Sequence, residues 1–596
     1  MDAAYLLLLG ILILTIGYRY YRAFLAAKVL TTNAKIITPA KHLQDNEDYV
    51  PTNKILLFGH HFAAITGAGP FVGPALAAQY GYLPGAIWIL LGGVFAGSVH
   101  DYIILYASVK HDGEALHKIA SRIIDPVSGV LIGIATIILI IATLSSLALV
   151  VTNALKNSPW SFFIIAMTIP IALIMSLYMF VWRKGKILEG SIIGAILLVA
   201  SVFLGSPLAA SKYAHFFTYS EHVLKIMLPT YGFIAAVLPV WLLLVPRDYL
   251  SSYMKIGLII ILAISLFFVH QQLQMPAITP YVHGNGPIIH GPVWPYVCIT
   301  IACGAISGFH ALISSGTTPK MIKNEKDIAF IGYGAMILES FVALTALITA
   351  CILNSADYFA INTTTAVWQN LHLNTVNLPA LEALICEKLM HRPGGAVTLA
   401  VGMTALFGTI PIFKNALGYI YHFAIMFEAL FVLTLIDSGT RVSRYIFKEF
   451  IEYFYRPKKR LSNWLNFFIY PLLMSLAWGM LTYNESIASI WPVFGTVNQL
   501  VAVTALCIGT ILLLEKGKKR YSLVTLIPLV FLGITAFDAG ISSMQKYIAD
   551  KNYCNTAILG MILIFTLIVI VRSILKWRQI VKSKNKETNR RQICPT

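Results

Sequence analysis

Apolar runs of about 17–28 residues, nearly free of charge, recur from end to end of the chain, and each can cross a hydrocarbon core of roughly 30 Å. A backbone crossing that core must satisfy its own polar groups, which in such runs means helix. The pattern excludes a soluble enzyme, a fibrous protein and a disordered chain. Composition agrees: of 596 residues, 58% are hydrophobic and 12% are charged, against roughly 25% charged in ordinary soluble domains. The expected fold class is an all-α polytopic membrane protein of about 15 transmembrane helices. They lie near 3–18, 56–79, 84–109, 127–151, 160–182, 187–205, 227–245, 254–270, 296–316, 329–353, 415–437, 463–483, 487–514, 522–542 and 556–577.

A net charge of +18 could signal nucleic acid, an anionic surface or membrane topology, and the positions of Lys and Arg decide among them. If the N-terminus is outside and the crossings alternate, about four-fifths of the Lys and Arg residues fall on the inner face. The excess is then an orientation signal, N-out and C-in, and no nucleic-acid partner is expected. The segment 396–412 is apolar enough to be a further crossing. Counting it so would place the cations of 441–460 outside, so a re-entrant or surface-lying segment is expected there. The first span lacks a basic leader and a small-residue cleavage site, and its cations follow it, as in an uncleaved anchor. The seven cysteines form no CxxC pair and read as small core residues. Neither a Walker loop nor an HExxH motif is present.

Glycine and proline cluster where a helix should be continuous. From His60 to Ala77 the chain reads HHFAAITGAGPFVGPALA, with Gly67, Gly69, Pro70, Gly73 and Pro74 close to mid-membrane. Such residues can form a packing kink, or they can make a discontinuous helix whose freed amides and carbonyls face a substrate or ion. An exposed helix N-terminus there would favour a carboxylate. The seventh span carries Pro229, Gly232 and Pro239. It crosses opposite to the second, as an inverted five-plus-five repeat requires. The organisation expected is an anchor helix (1–22), a transporter core (55–437, with repeats 55–205 and 227–437), further membrane helices (438–577) and a basic, frayed tail (578–596).

Ionisable residues inside spans are the second exception, because a charge in hydrocarbon is costly and usually functional. His100 and Asp101 lie in the third span, Glu339 in the tenth, and His422 and Glu428 in the eleventh. His60 and His61 open the broken span and His310 lies in the ninth. A buried carboxyl can load and release a proton near neutral pH, and histidine titrates there already. Each histidine taken alone is more often a hydrogen-bonded core or interface residue, whereas Asp101 and Glu428 suit function and structural ion pairing equally. Ser314, Ser315, Thr317 and Thr318 cluster at the end of the ninth span, suited either to interhelical hydrogen bonds or to oxygen ligation of a small cation. The histidines lack metal-ligand spacing, so neither a metal nor any other cofactor is expected.

Six motifs in order resemble the carbon starvation protein A family. They are HHFAAITGAGPFVGPALAAQYGYLPG (60–85), AGSVHDY (96–102), PVWLLLVPRDYLSSYMKIG (239–257), SGFHALISSGTTPK (307–320), YHFAIMFEALFVLTLIDSGTRVSR (421–444) and WPVFGTVNQLVA (491–502). Thr66 adds a hydroxyl where members of the family often have a small apolar residue. The resemblance implies a secondary transporter of the inner membrane, related to the amino acid–polyamine–organocation superfamily, that imports short peptides or pyruvate under carbon starvation. Carried onto this sequence, it suggests substrate binding at His61, Thr66, Gly67, Ala68, Gly69, Pro70, Tyr231 and Gly232. Proton coupling would involve His100, Asp101, Glu339 and Glu428, with Ser314, Ser315, Thr317 and Thr318 completing a polar or cation site. The expected driving ion is H+, with Na+ the alternative, and the other expected partner is the lipid bilayer. A membrane sensor that binds without transporting is a third reading, although no signalling domain is evident.

Overall fold

The computed structural model describes the chain except residues 46–48, 185, 240–241, 386, 455–467 and 594–596. At 245, 248–249, 252–253, 255, 444–445, 448–450, 452–454 and 584–593 it describes the backbone alone. The principal helices are α1 (Ala3–Leu30), α2 (Lys54–Ile65), α3 (Gly69–Ala77), α4 (Tyr82–Lys110), α5 (Pro126–Leu155), α6 (Pro159–Trp182), α7 (Ile187–Ala209), α8 (Glu221–Val237), α9 (Leu244–Val269) and α10 (Val293–Thr300). They continue with α11 (Gly308–Ser315), α12 (Ala329–Cys351), α13 (Leu378–Ile385), α14 (Ala396–Gly408), α15 (Leu417–Phe454), α16 (Tyr470–Asn484), α17 (Ile487–Glu515), α18 (Leu523–Ala549) and α19 (Tyr553–Ile593).

The polytopic all-helical architecture is as expected. Among the described residues, 10 helices are long and apolar enough to cross a membrane, or up to 11 if the bent pair α2 and α3 counts as one span. The remaining predicted crossings fall on shorter or interrupted pieces: α8, α9, the pair α10 and α11, and α16. The last of these was expected at 463–483, and its first residues lie outside the described ones. The helix at 396–412 is not surface-lying. α14 has 13 residues, about 20 Å at 1.5 Å each, too short to cross, and nearly all its side chains are buried. The tail expected to fray continues α19 as helix to Ile593. Cys554 is exposed, unlike the buried Cys298, Cys303, Cys351 and Cys507.

Helices begin where side chains replace the missing intrahelical acceptors. Asn53 accepts from the Ile55 amide at 2.9 Å to start α2, and Ser158 precedes Pro159 to start α6. Asp125 accepts from the Ser128 amide at 2.9 Å, with Pro126 in the first turn of α5. Arg572 of α19 meets the same carboxylate at 3.0 Å. Burial alone would raise the Asp125 carboxyl, but the Ser128 amide and Arg572 outweigh it and hold the group below its ordinary value. Its stabilisation is therefore complete above the unfolded carboxylate value and disappears as pH falls through the lower folded one. Asp125→Ala is expected to cost about 1 kcal/mol, measured by thermal unfolding in detergent near pH 7, with a smaller difference in strong acid.

Burial separates inner from outer helices. In α17 the whole apolar window is buried, against 33% in α7 and in α19, so α17 lies at the centre and the other two face lipid.

Candidate functional site

Two helix breaks meet beside α17. The first separates α2 from α3 at Thr66–Ala68, with a bend of 47°. Thr66 leaves the helical region (φ −78°, ψ 86°), and Pro70 stands in the first turn of α3, where its missing N–H costs nothing. Residues Thr66 to Pro70 are all buried, and the amides of Ala68 and Gly69 lie outside the helical ladder.

The second break separates α10 from α11 over residues 301–307. Its carbonyls find side chains from other helices, the only affordable arrangement at membrane depth. Gln499 Nε2 donates to Cys298 O at 2.5 Å, Trp491 Nε1 to Thr300 O at 3.2 Å, and Trp88 Nε1 to Ile301 O at 3.1 Å. Asn498 Oδ1 accepts from the Phe309 amide at 2.9 Å and from the Ser307 hydroxyl at 3.1 Å, capping α11 from α17. Asn498→Ala leaves the Phe309 amide unpaired and the Ser307 hydroxyl with only Cys303 Sγ at 3.7 Å, and is expected to cost about 1–3 kcal/mol. Asn498→Asp, which keeps the acceptor, should recover part of the loss; a thermal melt of the purified protein checks both.

The two breaks and the helix ends beside them pack closely on glycines. A Cβ on Gly73 would lie 2.5 Å from Thr300 O, and one on Gly69 would lie 2.5 Å from Cys303 Sγ. Gly97 of α4 opposes Ala305 O in the same way, and it ends a π-helical turn, Gly93–Gly97, just before His100 and Asp101. A second π-helical turn, Ala329–Tyr333, precedes Glu339 in α12. Such turns are frequent at functional sites.

The ionisable residues converge here. His100 Nδ1 lies 2.8 Å from Asp101 Oδ1, and His310 Nδ1 lies 2.9 Å from Asp101 Oδ2. His310 Nε2 stands 3.2 Å from Glu339 Oε2, whose other neighbour is the Thr66 hydroxyl at 3.5 Å. His100, Asp101, His310 and Glu339 are 0% exposed. One chain of contacts thus runs from α4 through His310 and α12 to the first break. His61 Nδ1 pairs with Thr318 Oγ1 at 2.8 Å, tying α2 to the turn after α11. Glu339 Oε1, His61 Nε2 and His100 Nε2 have no hydrogen-bond partner among the described residues. Orphaned buried polar atoms of this kind need a reason, and a site that exchanges protons supplies one.

The other predicted residues are placed differently. Ser315 donates to Ala311 O at 2.6 Å and accepts from the Leu116 amide at 3.0 Å; Ser314 is buried, and Thr317 is exposed. Glu428 on α15 lies outside the chain of contacts, and neither of its oxygens has a hydrogen-bond partner among the described residues. It shares its helix with Phe431 and Leu435, which pack on Phe71 of α3 and on Gly67 of the first break. Tyr231 and Gly232 do not form a break, because α8 runs through both to Val237. A single proline, Pro229, removes one ladder bond and the helix absorbs it, whereas 301–307 has small residues and external partners for its freed groups. The Tyr231 hydroxyl instead donates to Asp437 Oδ2 at 2.9 Å, beside a buried Arg247–Asp437 pair at 2.8 Å. Gly232 lets Trp478 approach.

His310 is the residue that sequence reading undervalued. It was visible as an intramembrane histidine in SGFHALISSG, but its place between two carboxyls depends on the fold of the second break.

The Carbon starvation protein CstA family matches residues 2–539. A protein of Bacillus subtilis (strain 168), "Peptide transporter CstA", is 45% identical over 589 residues, covering 98% of each chain. "Pyruvate/proton symporter BtsT" of Escherichia coli (strain K12) is 40% identical over 574 residues, covering 89% of this chain and 80% of that one. Among solved structures, a crystal structure of the Eremococcus coleocola manganese transporter aligns with 90% of this chain and 99% of its own, at 14% identity and a TM-score of 0.40. With its sequence matched nearly end to end and its helices long and apolar enough for many crossings, the chain is a multi-pass membrane transporter belonging to the carbon starvation protein CstA family.

Proposed function

We propose that the protein is a proton-coupled symporter of the inner membrane that imports a small carboxylate nutrient, a short peptide or pyruvate, in the response to carbon starvation. The observation that carries this reading is the buried chain Asp101–His310–Glu339–Thr66, which ends at the amides of the first break. With His310 protonated and both carboxyls ionised, the trio holds one net negative charge in a fully buried site. A substrate carboxylate at the Ala68 and Gly69 amides would be repelled by that charge. One added proton removes the repulsion, so proton and substrate bind together, and interactions in low dielectric make the dependence steep. The break is buried, so loading and release require the helices around it to move, which is the alternating access expected of broken-helix transporters. Ser315 and Thr318 already have partners, which leaves Ser314, whose buried hydroxyl has none among the described residues, as the group of that cluster that favours the sodium alternative.

Reconstituted protein should accumulate labelled pyruvate or a labelled dipeptide when an inward pH gradient is imposed, at fixed sodium. Asp101→Asn should uncouple uptake from the gradient. Gradient-independent accumulation by the native protein, a requirement for sodium, or full coupling in an Asp101→Asn, Glu428→Gln double variant would each refute the proton assignment. Competition of pyruvate uptake by di- and tripeptides separates the two substrates.

A further inference from the structure

A cavity of about 1020 Å³ opens among the α5–α6 turn, the C-terminal end of α7, α13, the segment 387–392 and the start of α15. It lies at the end of the bundle opposite Asp125, Lys110 and Arg572, because α5 runs from Asp125 at one end to Lys156 at the other. This is the face on which the sequence places only about one-fifth of the Lys and Arg residues. Four of those scarce cations, Lys156, Lys388, Arg392 and Lys414, line this one cavity. Among the described residues, Glu387 is the only carboxylate in its lining.

The cations are not equivalent. Lys156 pairs with Glu221 at 3.4 Å, and Arg392 pairs with Glu387 at 3.3 Å. Lys388 and Lys414 are exposed, and neither has a carboxylate at ion-pair distance among the described residues. Two unneutralised ammonium groups therefore face a concavity whose other wall is apolar, with Trp160, Tyr419 and Ile385. A volume at the top of the usual range for ligand sites, roughly 300–1,000 Å³, admits a short peptide as well as a smaller acid.

Buried residues of α15 lie directly behind the cavity wall. Its Trp160 ring stacks on His422 at 3.8 Å, and His422 accompanies Ser161 at 3.0 Å. Along α15, Glu428 comes about 9 Å deeper than His422, followed by the residues that pack on the first break.

We propose that this cavity is the entry vestibule of the transporter and that Lys388 and Lys414 form an outer subsite for the substrate carboxylate. The inference deepens the symport reading and rests on it for the identity of the ligand. The subsite gathers anions by charge and leaves translocation to the buried chain below. Its effect is therefore on apparent affinity rather than on turnover, and it weakens as salt screens it.

The test uses the Lys388→Gln, Lys414→Gln double variant of the full chain in zwitterionic vesicles, which removes anionic lipid as a competing occupant. Two readouts are taken: initial uptake rates, and equilibrium binding of labelled pyruvate and of a labelled tripeptide to detergent-purified protein. The expected result at low ionic strength is a KM and a Kd raised about tenfold with an unchanged maximal rate. The difference should shrink in high salt and in a Lys388→Arg, Lys414→Arg variant, and a tripeptide amide should be insensitive. Unchanged KM and Kd, equal loss with the amide, or no binding of either acid by the native protein would overturn the vestibule. Binding that depends on both lysines without any pH-driven uptake would instead uphold the vestibule and refute the symport reading.

Discussion

His310→Ala is expected to abolish pH-gradient-driven uptake, lowering the initial rate by at least about 100-fold, the scale of losing a positioned proton-transfer group. The substitution leaves Asp101 and Glu339 facing a gap with nothing between them to share a proton. It also removes one member of a buried charged pair, which typically costs about 3–5 kcal/mol, so the variant should unfold at a lower temperature. Instability alone would lower every transport mode together. Exchange of labelled for unlabelled substrate across vesicles with no pH gradient, measured in acid where both carboxyls can take up protons, distinguishes the two: it should survive in His310→Ala while accumulation does not. Equal loss of exchange and accumulation would mean that His310 serves only structure.

Gly73→Ala is the second large effect. Its new Cβ would meet the backbone oxygen of Thr300 at 2.5 Å, and a backbone atom cannot rotate aside. Overpacking of this kind costs about 1–3 kcal/mol, and the cost here should fall at the upper end. The two breaks would separate, so uptake should fall by at least about tenfold even in protein that remains folded. Gly59→Ala is the matched comparison. Gly59 lies in α2 with nothing within 4 Å of a built Cβ, so alanine should be neutral or gain up to about 1 kcal/mol of helix propensity. Melting temperatures and uptake rates of the two variants, measured side by side, give the comparison.

The first break was legible because glycine and proline announce themselves. Five of them between Gly67 and Pro74 are incompatible with an undisturbed helix, and the chain does break there, although only over Thr66–Ala68. Pro74 is accommodated within α3. The second break was not legible for the complementary reason. The segment IACGAIS contains one glycine and no proline, and it is held open by side chains about two hundred residues away along the chain, at Trp88, Trp491, Asn498 and Gln499. Local composition cannot report a partner supplied by another helix. Pro229 and Gly232 misled in the opposite sense, since α8 runs through both without opening. The ionisable residues were readable one by one, because each violates the cost of charge in hydrocarbon. Their grouping was not, since it depends on a non-helical turn that brings α11 against α4 and α12.

The cap that Asn498 places on α11 bears on how this chain can be divided. Cutting after residue 437 would keep both breaks and every member of the buried chain of contacts, yet it would separate Ser307 and Phe309 from their acceptor and Cys298 and Thr300 from their donors. The N-terminal piece alone would have a loosened second break. Supplying residues 438–596 as a separate polypeptide could restore it by inserting α17 into the gap. Topology fusions and split reporters are therefore better joined in the lipid-facing α19 than between α15 and α17.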